Sequence, residues 1–394
     1  MRLVGTTVRG IRTPIIKEND DLASIVVDSV INASESEGFN FKDKDIIAIT
    51  EAVVGISEGN YVTVDNIVSD LNAKFPSKEI GIVYPILSRN RFSMILKAIA
   101  RAMDKVTILL SFPSDEVGNG IMDENLLSAS PFNLGSLISE EDYEKYFGTF
   151  IHPFTGINMV DYYRDLVKSE NCDVDFVFSN NPSDILKYTN NVLTCDIHSR
   201  FKTKKVLSEQ SAFVLSLSDI LNESVGGSGF NPDYGLLGSN KSTDERLKLF
   251  PKDGASLVLK IKDEMFKRTG KNFEVMVYGD GAFKDPVGGI WELADPVVSP
   301  FYTEGLKGTP NEIKLKYVSD NMFADLRGDE LKDAIKEEIK KKDNDLKGQN
   351  VSLGTTPRRI TDLVGSLCDL TSGSGDKGTP VVLVQGYFDN LADE

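Results

Sequence analysis

The chain is poor in the residues that most often carry nucleophilic and acid–base chemistry. Its 394 residues hold two histidines, three cysteines and a single tryptophan. With His152 and His198 alone, and no GxSxG segment, a Ser-His-Asp triad has nothing to be built from. Cys172, Cys195 and Cys368 are far apart and form neither a CxxC pair nor a metal-ligand cluster with the histidines, so they read as reduced and structural. No stretch approaches the roughly eighteen apolar residues that a spanning helix needs, and the opening MRLVGTTVRGIRTP lacks the apolar segment and cleavage site of a signal peptide. A cytoplasmic protein with no membrane partner is therefore expected. No GxxxxGK[ST] is present and no GxGxxG opens a helix, which removes the P-loop and the dinucleotide fold. TSGSGDKG has the look of a phosphate loop, but it precedes a strand, so no helix dipole stands behind it.

What the chain does have is acid. The net charge of -16 repels phosphate backbones and anionic lipid, and no local basic patch reverses it, so nucleic acid is excluded as a partner. An acidic protein that handles phosphates can place carboxylates around Mg²⁺ or Mn²⁺ and let the cation meet the phosphate. With 40% hydrophobic and 26% charged residues the composition is that of an ordinary globular chain. Its length favours two or three domains, or one core carrying a large insertion.

Periodicity supplies the elements. RLVGTTVRG alternates as a strand, GIRTPIIKENDD is a punctuated loop, and DLASIVVDSVINAS has helical spacing, with Asp20 or Asp21 as its N-cap. Ile46 to Thr50 is an apolar strand running into a Gly-containing segment. SRNRFSMILKAIARAMDK is amphipathic, with Phe92, Ile95, Leu96, Ile99 and Met103 on one face, and VTILLSFP follows as a buried strand. From about Pro113 to Gly229 the signals change to several strand-to-helix units, read as an inserted α/β subdomain. DGASLVLKIKDEMFKRTGK is a helix ending at Gly270, a C-cap glycine; NFEVMVYGDG is a strand. ELKDAIKEEIKKKDNDLKGQ is a charged excursion, and PVVLVQGY is a buried strand. The expected organisation is a core in two parts, 1–112 and 230–394, the latter with the charged helix near 328–348, interrupted by residues 113–229.

Three loops at element ends combine glycine with oxygen-bearing side chains: Asn231 and Asp233, then Asp280 and Asp285, then Asp376. Oxygen ligands beside free backbone amides are what a metal–nucleotide site requires. Taken singly, each also reads as a plain turn, because Asx and Gly residues favour turns for local reasons. His198, in CDIHSR, reads first as a hydrogen-bonded structural residue and second as a base or ligand.

Five collinear segments carry a resemblance. GIRTPIIKENDDLASIVVDSV followed by DKDIIAITEAVVGISEGN resembles the opening of the coenzyme F(420)-0:L-glutamate ligases. SRNRFSMILKAIARAMDKVTILLSFP is similar to the helix and strand that follow there. GLLGSN before KLFPKDGAS stands where the family has GIDxSN before DPDGSA; DGASLVLKIKDEMFKRTGKNFEVMVYGDG and ITDLVGSLCDLTSGSGDKGTPVVLVQG match its later blocks. Two departures stand out. The lysine of SKAEGR falls at Ile56, and the aspartate of GIDxSN falls at Leu237, with Asp233 four residues earlier.

The resemblance implies a mixed α+β fold, with flanking helices on a γ-glutamyl ligase-like core. It also implies a homodimer that uses GTP or ATP with Mg²⁺ or Mn²⁺ to join L-glutamate to a carboxylate acceptor, a deazaflavin cofactor or a folate-like molecule. Under it, Asp233 and Asp280 are the metal ligands, with Asn231 and Asp376 as further candidates. Asp280 and Lys284 are the catalytic residues. Gly10, Ile11, Ser57, Glu58, Gly59, Ser239 and Asn240 contact nucleotide. Ile56 and Leu237, apolar where charges are expected, motivate the alternative of a catalytically silent nucleotide- or metabolite-binding protein on the same scaffold. An unrelated phosphotransferase using the same loops is a third reading.

Overall fold

The computed structural model describes residues 3–153, 155–279, 299–353, 358–372 and 376–393. In chain order the first half runs β1 (Thr7–Ile11), α1 (Leu22–Glu37), β2 (Ile46–Thr50), α2 (Glu51–Ser57), β3 (Tyr61–Thr63), α3 (Val64–Lys74), β4 (Glu79–Val83), α4 (Phe92–Ala102), β5 (Lys105–Leu110), α5 (Glu124–Ala129), β6 (Ile138–Ser139), α6 (Glu140–Phe147) and α7 (Met159–Ser169). The second half runs β7 (Asp173–Phe178), β8 (Asn191–Thr194), α8 (Arg200–Ser208), β9 (Phe213–Ser216), β10 (Asn240–Thr243), β11 (Arg246–Lys248), α9 (Gly254–Thr269), β12 (Glu274–Tyr278), β13 (Phe301–Tyr302), α10 (Leu315–Asn321), α11 (Gly328–Lys341), α12 (Ile360–Ser372) and β14 (Val381–Gln385). The fold is the expected mixed α+β, with mixed sheets and flanking helices.

The first sheet has the order β1-β14-β2-β12-β13. The last strand of the chain thus lies between its first two, antiparallel to both, while β2 and β12 run parallel. The central strands β2, β12 and β14 are near-continuous apolar runs because both faces are covered. Ile47, Ile49, Val275, Val277 and Leu383 pack with α1 and α9; Ile46, Ala48, Met276, Val382 and Val384 pack with Val364 and Cys368 of α12. The two covering helices are closed by their own sequences. Asp21 accepts from Ser24 N and Asp253 from Ser256 N at the starts, while Gly38 and Gly270 take φ of 68° and 69° at the ends, a region where glycine carries no Cβ penalty.

The second sheet has the order β6-β7-β5-β4-β8-β9, parallel except for β6. Its chain-first strand, β4, sits in the middle, so connections wind one way to β5 and β7 and the other way to β8 and β9. That is the doubly wound plan, with a switch point between β4 and β8. One face buries Ile67, Leu71, Leu96, Ile99, Tyr163 and Val167 of α3, α4 and α7. This sheet draws on both sides of residue 113, where the sequence signals change: β4 and β5 precede that point and β6 to β9 follow it. The reason is non-local, since β5 takes its register from β7, with Leu110 opposite Phe178.

A third, small antiparallel sheet has the order β10-β11-β3. Alternation along its strands sends Val62 and Leu247 into the core shared with the second sheet, and Tyr61, Thr63, Arg246 and Lys248 to the other face. The charged excursion forms α11, whose Ile335 and Ile339 pack against Val318 of α10. All three cysteines are free and buried. Among the described residues no helix is long and apolar enough to cross a membrane.

Two outcomes follow for stability. Ile49, fully buried in the centre of the first sheet, should cost about 2–5 kcal/mol on replacement by Ala, read as a lower denaturant midpoint at unchanged slope. His152 is 2% exposed, and burial lowers its pKa below 6.5. The unfolded chain therefore binds a proton that the folded chain refuses, so this residue makes stability fall as pH drops below about 6.5. His152→Gln should flatten the stability profile between about pH 6.5 and 5, and an unchanged profile would remove the residue from the account.

Candidate functional site

Because β14 runs antiparallel between its neighbours, one end of the first sheet collects four chain connections. Ile11 lies opposite Val381, Val381 opposite Ile49, and Thr50 opposite Tyr278. The connections leaving β1, β2 and β12 and the one entering β14 share that end. Backbone bonds tie them: Thr13 N donates to Gly378 O, Thr50 N to Pro380 O and Asn19 N to Ser57 O. Gly10 leaves room for this, since a Cβ there would crowd that of Thr379 at 3.1 Å. Ligands of open α/β sheets bind outside the carboxyl ends of strands, and here that end faces the polar side of the small sheet.

At the junction is a buried ion pair. Lys248 Nζ of β11 lies 2.5 Å from Glu51 Oε2, at the head of α2, with side chains 7% and 6% exposed. The Lys248 stem runs over Gly55, where a Cβ would come within 3.3 Å of Lys248 Cδ and 3.0 Å of Leu249 O. Across the strands, Lys248 is in register with Asn240 on one side and Tyr61 on the other. Arg246 stacks 3.8 Å over the Tyr61 ring and reaches Glu18 at 3.2 Å.

The rim is held by carboxylates and amides in structural contacts. Glu58 accepts from Lys252 N at 2.9 Å and Asp253 N at 3.1 Å, fixing the turn into α9. Burial raises its pKa, and those two bonds pull the other way. A cavity of about 510 Å³ opens beside it, lined in part by Asp20, Asp21, Ser57, Asp253 and Lys260. A second, of about 780 Å³, runs between β1 and α1 past Arg9, Gly10, Ile11, Arg12 and Asn32.

The sequence-derived site residues divide accordingly. Gly10 and Ile11 line the larger cavity, Ser57 and Glu58 the smaller, and Gly59 sits against Glu18, its Cβ position 2.8 Å from the carboxylate. Asn240 shares a face with Lys248. Asp376 is exposed in the loop tied to Thr13, and Asp233 is exposed two residues beyond Asn231. Asn231 is fully engaged: its oxygen accepts from Asp233 N and Tyr234 N, and its amide donates to Phe250 O and Pro251 O. It holds a turn and has no lone pair left for a cation. Ser239 is 2% exposed and its hydroxyl has no partner among the described residues. It faces a cavity of about 20 Å³ beside Cys195, on the seam with the second sheet. Leu237 and Ile56 pack into apolar cores, which accounts for the lack of charge at both. Asp280, Asp285 and Lys284 lie outside the described residues.

Among the described residues no three His, Cys, Asp or Glu side chains are grouped to hold a metal. Asn231 is saturated, and Asp233 and Asp376 stand alone, so these residues do not by themselves make a cation shell.

A family model for F420-0:gamma-glutamyl ligase matches residues 10–386. The chain belongs to the F420-0:gamma-glutamyl ligase family. It is therefore an enzyme of a ligase family, and the five collinear segments named above are parts of one nearly chain-long match. No curated protein matches the chain. Glu51 and Lys248, 197 positions apart, are brought together by the fold and are not among the sequence-derived candidates. The signal available was ERLKLF, whose alternation marks a short strand with both cations on one face.

Glu58→Ala should release the amides of Lys252 and Asp253. Hydrogen exchange at those two should accelerate about tenfold or more, equivalent to about 1.4 kcal/mol, while exchange in the middle of α9 stays as it was. Equal protection in both proteins would show that the carboxylate does not hold the turn.

Proposed function

We propose that the protein is a nucleoside triphosphate- and divalent metal-dependent γ-glutamyl ligase, adding L-glutamate to the carboxylate of a deazaflavin cofactor or a folate-like acceptor. Family membership across residues 10–386 supports the bond type. The single structural observation that carries the reading is the convergence of the matching segments that hold β1, β2, β12 and β14 on one end of the first sheet, against the face that presents Lys248 and Arg246.

The chemistry needs such a place. A carboxylate is inert toward an amine at neutral pH, so a carboxylate oxygen of the acceptor first attacks the γ-phosphorus of GTP or ATP. The bond to the β-phosphate oxygen breaks, and the nucleoside diphosphate leaves with that electron pair. The amine of glutamate then attacks the acyl carbon, phosphate departs and the amine loses a proton, leaving an amide. Mg²⁺ or Mn²⁺ would supply charge neutralisation to the phosphates when bound. The chain's own contribution is to hold donors toward developing negative charge and to keep water from the acyl phosphate. Asp280 and Lys284 retain their proposed catalytic roles on sequence grounds. A cytoplasmic homodimer is part of the same proposal.

The second reading, a silent nucleotide- or metabolite-binding protein, is favoured by one observation: Ile56 and Leu237 are packed in cores, so charge is missing at two positions where the resemblance places it. The experiment separating the two incubates the protein with GTP or ATP, Mg²⁺ or Mn²⁺, L-glutamate and a panel of carboxylate acceptors, and weighs the products. The ligase reading expects an acceptor heavier by one or more glutamyl units, with one phosphate released per unit. Tight nucleotide binding with no such product across the panel would leave the silent binder, and a phosphorylated product with no amide would indicate a phosphotransferase.

A further inference from the structure

We propose that Lys248 is the residue that binds a substrate oxyanion at this site, with Glu51 as the positioning residue that holds its ammonium there. The proposal rests on the ligase reading and names a side chain that the resemblance does not. An ammonium carries three N–H donors. Lys248 spends one on Glu51, and no other described group receives the remaining two, although the side chain is only 7% exposed. Buried donors left without acceptors are costly, and a buried ion pair is itself weak support for a fold, since an apolar pair of similar volume often serves stability as well or better. A pair kept under those terms at the carboxyl end of β2 has its use in binding.

The surroundings narrow the ligand. Arg246, the other cation on this face, is engaged by Tyr61 and Glu18. Asn240, across β10, shares the face with Lys248 and adds an amide beside it. Gly55 leaves the space through which the lysine stem passes. Two free N–H donors next to an amide suit a phosphate or carboxylate oxygen. The shared chemistry is an oxyanion, and its two sources are the triphosphate and the carboxylates of glutamate.

The test uses the full chain. Calorimetry with GTP·Mg²⁺, and separately with L-glutamate, compares wild type, Lys248→Arg and the double variant Glu51→Gln/Lys248→Met, which removes both charges and leaves no unpaired one. The double variant should melt within a few degrees of wild type yet bind GTP·Mg²⁺ at least tenfold more weakly, with a raised nucleotide KM; Lys248→Arg, which keeps a cation, should bind more tightly than the double variant. Loss of glutamate binding alone would assign the oxyanion to the glutamate carboxylate. A folded double variant that binds both as wild type does overturns the role of Lys248 while leaving the ligase reading intact. Wild-type protein that binds neither overturns both. A measurement free of folding effects is the side-chain NMR resonance of Lys248 in wild type, which should move on addition of GTP·Mg²⁺ and would refute the assignment by staying still.

Discussion

The constraint on which the rest depends is the pairing of β14 between β1 and β2. It joins Thr7 to Gln385 and Ile46 to Val384 in antiparallel register, closing a loop that is almost the whole chain. The entropy of such a closure grows only slowly with length, and fully buried apolar strands on both faces offset it. Once made, it fixes which connections meet. An antiparallel strand between two others brings its own entry to the exits of its neighbours, so the loops leaving β1, β2 and β12 and the loop before β14 must share an end.

The second consequence concerns the small sheet. Its edge strand β3 is continuous with α2 through residues 58–60, and its central strand β11 leads into α9, so two of its three strands are anchored to helices of the first sheet. Asn60 stitches the two, donating to Phe250 O and accepting from Phe230 N. Its apolar face belongs to the core of the doubly wound unit, and its other face carries the ion pairs of Lys248 and Arg246. A sheet three strands wide thereby divides an apolar core from an ionic site, and Lys248 and Leu247, neighbours in sequence, lie on opposite sides of that division.

Much of this was legible in advance where the information is local. Ile46–Thr50, the Asp21 cap, the Gly270 terminus and the apolar run of β14 each declare themselves through period, cap or breaker. The family resemblance was likewise legible, because its blocks kept order and spacing. What could not be read is what depends on pairing across hundreds of residues: that β4 and β5 share a sheet with strands beyond residue 113, that Tyr61 faces Lys248, and that Glu51 and Lys248 form a buried pair. The Asx-rich loop around Asn231 shows the opposite limit. Its composition signals both a turn and a ligand, and only the four bonds to its amide decide for the turn.

The central claim is that ligands meet this chain at the carboxyl end of the first sheet, against Lys248 and Asn240. The most direct test is a crystal grown with Mn²⁺ and a non-hydrolysable GTP analogue, in which anomalous scattering locates the metal. The account predicts the manganese peak and the triphosphate between the end of β2 and the charged face of β10 and β11. A peak at the switch point between β4 and β8, with neither metal nor phosphate beside Lys248, would contradict it.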